Sequence, residues 1–268
     1  DAVSGAVTLP APIDRWFSQV RWAPDGKSVL ALVEESRVVN LSRVDLASGK
    51  VAQLTPGQRY DAGFAVSPQG RIVVLGGNDV TPSELAALER GQLRRLGSHN
   101  DWLAQKKLAR YEEITFRSGD GTAIDGFVVK PLDYVPGRRY PTILRIHGGP
   151  VYQFSHEFMP DWQVYAARGF VVVAANPRGS SGRGFDFARA IFADWGNKDL
   201  QDVLAAVDHV VATGIADPAR LGVGGRSYGG ILTNYVIASD TRFKAAVSGA
   251  GASNWAALYG HDMYTREY

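Results

Sequence analysis

Cysteine is missing altogether from the 268 residues, which removes disulfides, thiolate zinc sites, iron–sulfur clusters and a cysteine nucleophile together. It leaves the compartment open, because disulfide-free proteins occur on both sides of a membrane. A charge excess is missing too: 29 Lys and Arg stand against 27 Asp and Glu, a formal net charge of +2. No strong field draws such a chain to nucleic acid or anionic lipid, and neither is expected as a partner. The longest wholly apolar run, 170–175, is about a third of the roughly 20 residues a membrane-spanning helix needs. The opening Asp1-Ala2-Val3-Ser4 has no basic stretch leading into an apolar one, so neither a span nor a targeting segment is expected. What is present is a globular balance of 45% hydrophobic and 21% charged residues, with 30 glycines and 13 prolines for tight turns.

The first hundred residues alternate short β-rich runs with turns. Ser18 to Trp22 leads into Pro24-Asp25-Gly26, then into Ser28 to Val33, and Pro-Asp-Gly is a turn with a mechanism. The phrase returns around Pro68-Gln69-Gly70, with Pro24 to Pro68 and Gly26 to Gly70 both 44 apart; in a second register Gly49 answers Gly91 at a separation of 42. A repeat of 40 to 50 residues, each unit holding several antiparallel strands, is the spacing of β-propeller blades. Two blades do not close a ring, so residues 1–108 are expected to be the C-terminal part of a propeller with a linker. The other reading is two unrelated hairpins that share a common turn.

From Arg110 the texture changes. Tyr111 to Phe116, a turn at Ser118 to Thr122, and Ala123 to Pro131 read as a hairpin that opens a new domain. Apolar runs at Thr142 to Ile146, Phe170 to Ala175, Leu221 to Gly225 and Lys244 to Ser248 then alternate with helical patterns, among them Leu200 to Thr213 with Leu204, Val207, Val210 and Val211 on one face. Short buried runs between helices imply a mostly parallel, doubly covered sheet over 109–268.

Within that half, Gly225-Arg226-Ser227-Tyr228-Gly229 sits between a predicted strand and a predicted helix. The bare pentapeptide is a weak signal in a glycine-rich chain, but its context is that of a nucleophile elbow, where a strained turn lifts the serine clear of the sheet. The helix N-terminus then faces the reacting group, and the backbone N–H of Tyr228 is a natural oxyanion donor. A second donor belongs on the loop after an earlier strand, and Ile146 runs into His147-Gly148-Gly149-Pro150. Alone, that tetrapeptide reads equally well as an ordinary turn.

Taken in order, the blade-like repeats, His147-Gly148-Gly149-Pro150, Asn176-Pro177-Arg178-Gly179-Ser180-Ser181-Gly182, Asp194-Trp195-Gly196 and Gly225-Arg226-Ser227-Tyr228-Gly229-Gly230 closely resemble the prolyl oligopeptidase family of serine peptidases, near its acylaminoacyl-peptidase and dipeptidyl-peptidase branches. The resemblance covers nearly the whole chain. It implies the last blades of a β-propeller followed by an α/β-hydrolase, with short peptides cleaved between them. It makes Ser227 the nucleophile and the amides of Tyr228 and Gly149 the oxyanion hole; separately, the residues offer no ligand spacing, and no cofactor or metal is expected.

The family pattern also places an Asp and then a His after the nucleophile. Tyr268 lies 41 positions beyond Ser227, and the later candidates, Asp240, His261 and Asp262, have the wrong order and spacing. The sequence is therefore expected to be truncated, starting inside the propeller and stopping after the sixth strand of an expected eight, before the triad Asp and His, and to be inactive alone.

Other features have plainer readings. The loop Arg178 to Gly184 lacks the Gly-Lys-Ser/Thr ending of a phosphate loop, and its arginines are expected to anchor local carboxylates. Asp199 and Asp202 read as partners of a helix dipole, and with Asp194 they have no calcium-loop spacing. His99, His156 and His209 show no ligand spacing. Tyr152 and Arg226 lie near the cavity in sequence, while Trp162, Trp195 and Trp255 read as packing residues. Besides a serine peptidase, two functions stay open at this point: a carboxylesterase on the same scaffold, and a propeller-bearing binding protein without catalysis.

Overall fold

The computed structural model describes residues 13–254 and Ala256. Its first sheet holds eight strands: β1 (Trp16–Trp22), β2 (Ser28–Glu35), β3 (Val38–Asp45), β4 (Val51–Gln53), β5 (Tyr60–Val66), β6 (Ile72–Asn78), β7 (Thr81–Glu89) and β8 (Gln92–Arg95). They form two antiparallel meanders, β1-β2-β3-β4 and β5-β6-β7-β8. A single parallel bridge, Val39 to Tyr60, joins the two. Both turn registers of the sequence coincide with this repetition. Pro24 and Pro68 occupy the first turn of each meander, and Gly49 and Gly91 the last. In the first of these turns Asp25 Oδ1 accepts the amides of Lys27 and Ser28 at 2.9 and 3.1 Å, which is why Pro-Asp-Gly reverses the chain there. Leu30, Leu32, Val39, Leu41 and Val74 form the buried cluster that the two meanders share.

The second sheet holds β9 (Tyr111–Arg117), β10 (Ala123–Val129), β11 (Tyr140–Ile146), β12 (Val171–Asn176), β13 (Ala216–Arg226) and β14 (Phe243–Gly249), in the order β14-β13-β11-β12-β10-β9. The four strands from β14 to β12 are parallel, and β10 and β9 are antiparallel additions. Among the described residues four α-helices of several residues accompany it: α1 (Pro160–Ala167), α2 (Phe185–Arg189), α3 (Lys198–Ala212) and α4 (Tyr228–Ser239). All six residues of β12 are buried, because both faces are covered. Val171 and Val173 pack with Val203, Val207, Leu232 and Val236 of α3 and α4, while Val172 and Ala174 pack with Trp162 and Ala166 of α1. The buried positions of α3 recur every three or four residues, as its sequence predicts. Parallel strands covered this way carry their chemistry at their C-terminal ends, here Ile146, Asn176, Arg226 and Gly249. β14 is an edge strand with Ala245, Ala246 and Val247 exposed. No helix among the described residues is long and apolar enough to cross a membrane.

The sheets are tied together where the β2–β3 turn reaches the second one. Arg37 pairs with Glu113 on β9 at 2.8 Å and with Asp125 on β10 at 3.1 Å, the Arg37 and Asp125 side chains being largely withdrawn from solvent.

Candidate active site

β13 passes into α4 through Ser227, whose φ of 60° and ψ of −126° lie in a region that side-chain-bearing residues avoid, at a cost of about 1–3 kcal/mol. The surroundings hold it there. The Ser227 amide donates to Gly249 O at the end of β14 at 2.8 Å, and its carbonyl accepts the amides of Gly230 and Ile231 at 2.8 and 3.0 Å, which starts the helix. Glycine on either side lets backbones touch: a Cβ on Gly225 would lie 2.6 Å from Ile146 O, and one on Gly229 would overlap Ile146 O and lie 2.7 Å from His147 O. The Ser227 side chain is exposed. The Tyr228 amide lies in the first turn of α4, where helical N–H groups have no intrahelical acceptor.

The loop after β11 comes to the same place. A Cβ on Gly148 would lie 3.7 Å from Ser227 Cβ and 3.4 Å from Arg226 O. Gly149, exposed and at φ 118°, precedes a cis peptide to Pro150. His147 turns inward from this loop, with Nε2 2.9 Å from Ser180 Oγ and Nδ1 2.7 Å from Gly148 O. The rings of Tyr152 and Phe154 pack edge-on against it. Burial pulls its pKa down to about 4, against a weaker opposing contribution from the Gly148 carbonyl, so the imidazole is neutral at pH 7. The three residues expected at the site, Ser227, Tyr228 and Gly149, thus belong to two chain segments that the fold brings into contact.

The Tyr228 side chain points the other way. It is buried, and its hydroxyl donates to Asp199 Oδ2 at 2.5 Å. Asp199 also accepts the amides of Gly196 and Leu200 at 2.8 and 2.9 Å. Burial still raises its carboxyl, and burial together with the Asp199 charge raises the Tyr228 phenol well above its usual value. Asp202 is equally buried and holds Arg178 through Nε at 2.9 Å and Nη2 at 2.7 Å. These two aspartates are therefore ligands of buried side chains, and the dipole reading understates them. Arg178 also reaches Asp120, as expected of an arginine that anchors carboxylates. None of these long-range partners had a local signal in the sequence.

Trp195 packs edge-on over the Tyr228 ring at 5.0 Å. It closes one side of an apolar cleft of about 450 Å³ lined by Trp16, Gly149, Pro150, Phe185 and Ile191. Trp162 is fully buried in the core. Arg226 is exposed beside Ser227, and Tyr152, half-buried, donates to Glu157 Oε2 at 3.1 Å. Asp240 lies at the far end of α4 from Ser227, paired with Arg242 at 2.7 Å. His156 faces Glu113 at 2.9 Å and His209 stacks on Phe116. Trp255, His261 and Asp262 lie outside the described residues. Among the described residues no three His, Asp or Glu side chains gather as a metal site needs.

Residues 156–268 match the prolyl oligopeptidase family, Peptidase_S9. The chain is 33% identical over 243 residues to an uncharacterised peptidase of Bacillus subtilis, covering 89% of this chain and 37% of that protein. It is 28% identical over 261 residues to dipeptidyl-peptidase 5 of Porphyromonas gingivalis, covering 95% of this chain and 38% of that protein. Among solved structures, Pyrococcus horikoshii acylaminoacyl peptidase superposes with a TM-score of 0.85 at 30% identity, over 95% of this chain and 40% of that one. The chain therefore spans about two fifths of the length of these relatives, and its second sheet has the α/β-hydrolase fold of such peptidases.

Proposed function

The chain belongs to the prolyl oligopeptidase family, and on that premise we propose that it carries the nucleophile of a serine peptidase that cleaves short peptides through an acyl-enzyme. One observation carries the reading: an exposed serine at positive φ, between a parallel strand and a helix N-terminus, against the Gly148-Gly149 loop. In this reading Ser227 Oγ attacks the scissile carbonyl carbon and forms a C–O bond while its proton passes to a general base. The carbonyl oxygen takes the negative charge and is held by the amides of Tyr228 and Gly149. Collapse breaks the C–N bond, the protonated amine leaves, and water then releases the acid from Ser227. His147 is not read as that base, since it is buried with both ring nitrogens turned to Ser180 and Gly148. The apolar cleft beside Gly149 suits an apolar side chain next to the cleaved bond.

The same proposal extends to the organisation of the chain. The two meanders are read as the last blades of a β-propeller, within 1–108, and 109–268 as the first part of the hydrolase. In support, each meander has four antiparallel strands and the turn registers recur. The test is made on the whole protein. A fluorophosphonate is expected to label Ser227, and Ser227→Ala to lose both the label and about 10⁴-fold or more of dipeptide-amide hydrolysis. Labelling elsewhere would overturn the nucleophile assignment, and turnover of acyl esters without amides would replace the peptidase with an esterase.

A further inference from the structure

The loop that carries Gly149 is built jointly by both sheets. The first side chain beyond Gly149 that is bonded to the other sheet is Gln153, which is 2% exposed. Its Oε1 accepts the amide of Arg37 at 3.0 Å and its Nε2 donates to Val38 O at 3.0 Å, so one carboxamide is bonded at both ends to the backbone of the β2–β3 turn. The turn itself is fixed from several directions. Its Ser36 amide donates to Gly182 O at 2.9 Å, Arg37 O accepts the His156 amide at 2.8 Å, and the Arg37 guanidinium bridges Glu113 and Asp125. On the loop's side, Tyr152 N donates to Pro150 O at 2.8 Å and Tyr152 O accepts from Ser181 N at 3.1 Å. Phe154 is clasped on both backbone groups by the Asn176 carboxamide, at 2.7 and 3.1 Å. The Gln153 side chain fills the space over Gly182, where a Cβ would overlap it.

We propose that Gln153 is a positioning residue through which the β2–β3 turn of the first sheet sets the place of the Gly149 amide. The inference rests on the Ser227 reading above, because it assigns Gly149 an acting amide. An oxyanion donor contributes only where it meets the developing charge, and a displacement of about 1 Å costs on the order of 100-fold in rate. A buried carboxamide with both ends bonded is suited to fixing that place: it cannot shift without breaking two hydrogen bonds that its own burial keeps it from replacing with water.

The test uses the whole protein with a peptide anilide. Ser227 is counted by stoichiometric fluorophosphonate titration, so that rates are expressed per competent site. Gln153→Leu is expected to lower kcat per titrated site about 10- to 100-fold with KM within about threefold, and to weaken a peptide boronic acid in parallel with kcat/KM. Should that variant fail to fold, Gln153→Asn keeps both polar groups on a shorter arm and is expected to show the same kcat-selective loss. Unchanged kcat per titrated site, or a loss confined to the number of titrated sites, overturns the positioning role while leaving the Ser227 reading intact. A parent protein whose Ser227 takes no label overturns both.

Discussion

Glycine serves opposite ends at the first turn of the first sheet and at the Ser227 turn of the second. At Gly26, in the first turn of the first meander, φ is 64° and nothing stands within 4 Å of where a Cβ would be; the residue is there for its backbone freedom. At Gly225 and Gly229, on either side of Ser227, an added Cβ would run into the backbone of Ile146, His147 or Gly229 itself; the residue is there because it occupies no volume. The first sheet is a set of reversals open to solvent at their tips, and the second presses a strand end, a loop and a helix start together behind one exposed hydroxyl.

That contrast can be broken by experiment. Gly229→Ala carries the largest expected effect, about 3 kcal/mol or more, because the crowding atoms are backbone and cannot swing aside; urea unfolding that shows less than about 1 kcal/mol would mean the seam yields. Next in size is acid. Folded His147 has a pKa of about 4, against roughly 6.5 in an unfolded chain. Its contribution is complete above pH 6.5, and between pH 6.5 and 4 the unfolded chain binds a proton that the folded one excludes. Stability is then lost as pH falls through that window, by up to about 3 kcal/mol. Unfolding midpoints at pH 7, 5.5 and 4 should trace this slope, and His147→Gln should flatten it. The smallest effect belongs to Gly26→Ala, about 1 kcal/mol for placing a Cβ at positive φ in open space, with the proposed hydrolysis by the whole protein unaltered. A cost equal to that of Gly229→Ala would erase the distinction between the two kinds of glycine.

Much of the fold was legible because its signals are local. Pro24-Asp25-Gly26 and its counterpart at Pro68 mark equivalent turns, and the apolar runs became β11, β12, β13 and β14 within a few residues of the predicted limits. β13 starts at Ala216, five residues before its apolar run, since half-buried Asp217 and exposed Pro218 to Arg220 carry no strand pattern. The Ser227 turn was legible through the spacing of its glycines. What escaped were partners distant in sequence: Asp199 meets Tyr228 across 29 positions and Gln153 meets Arg37 across 116. Asp199 and Asp202 resembled dipole partners because the first turn of a helix favours acids whatever they hold. No period or motif distinguishes a surface cap from a buried ligand when the ligand's mate is set by topology.

The contact of Gly225 and Gly229 with the carbonyls of Ile146 and His147 has an outcome for how this protein tolerates change in length. Main chain abuts main chain there with no side chain between to act as a cushion, so one residue inserted in either segment displaces the other by the same step. Hairpin tips such as Gly26 can lengthen into solvent, whereas the seam behind Ser227 accepts alterations of chemistry at its rim and none of chain count.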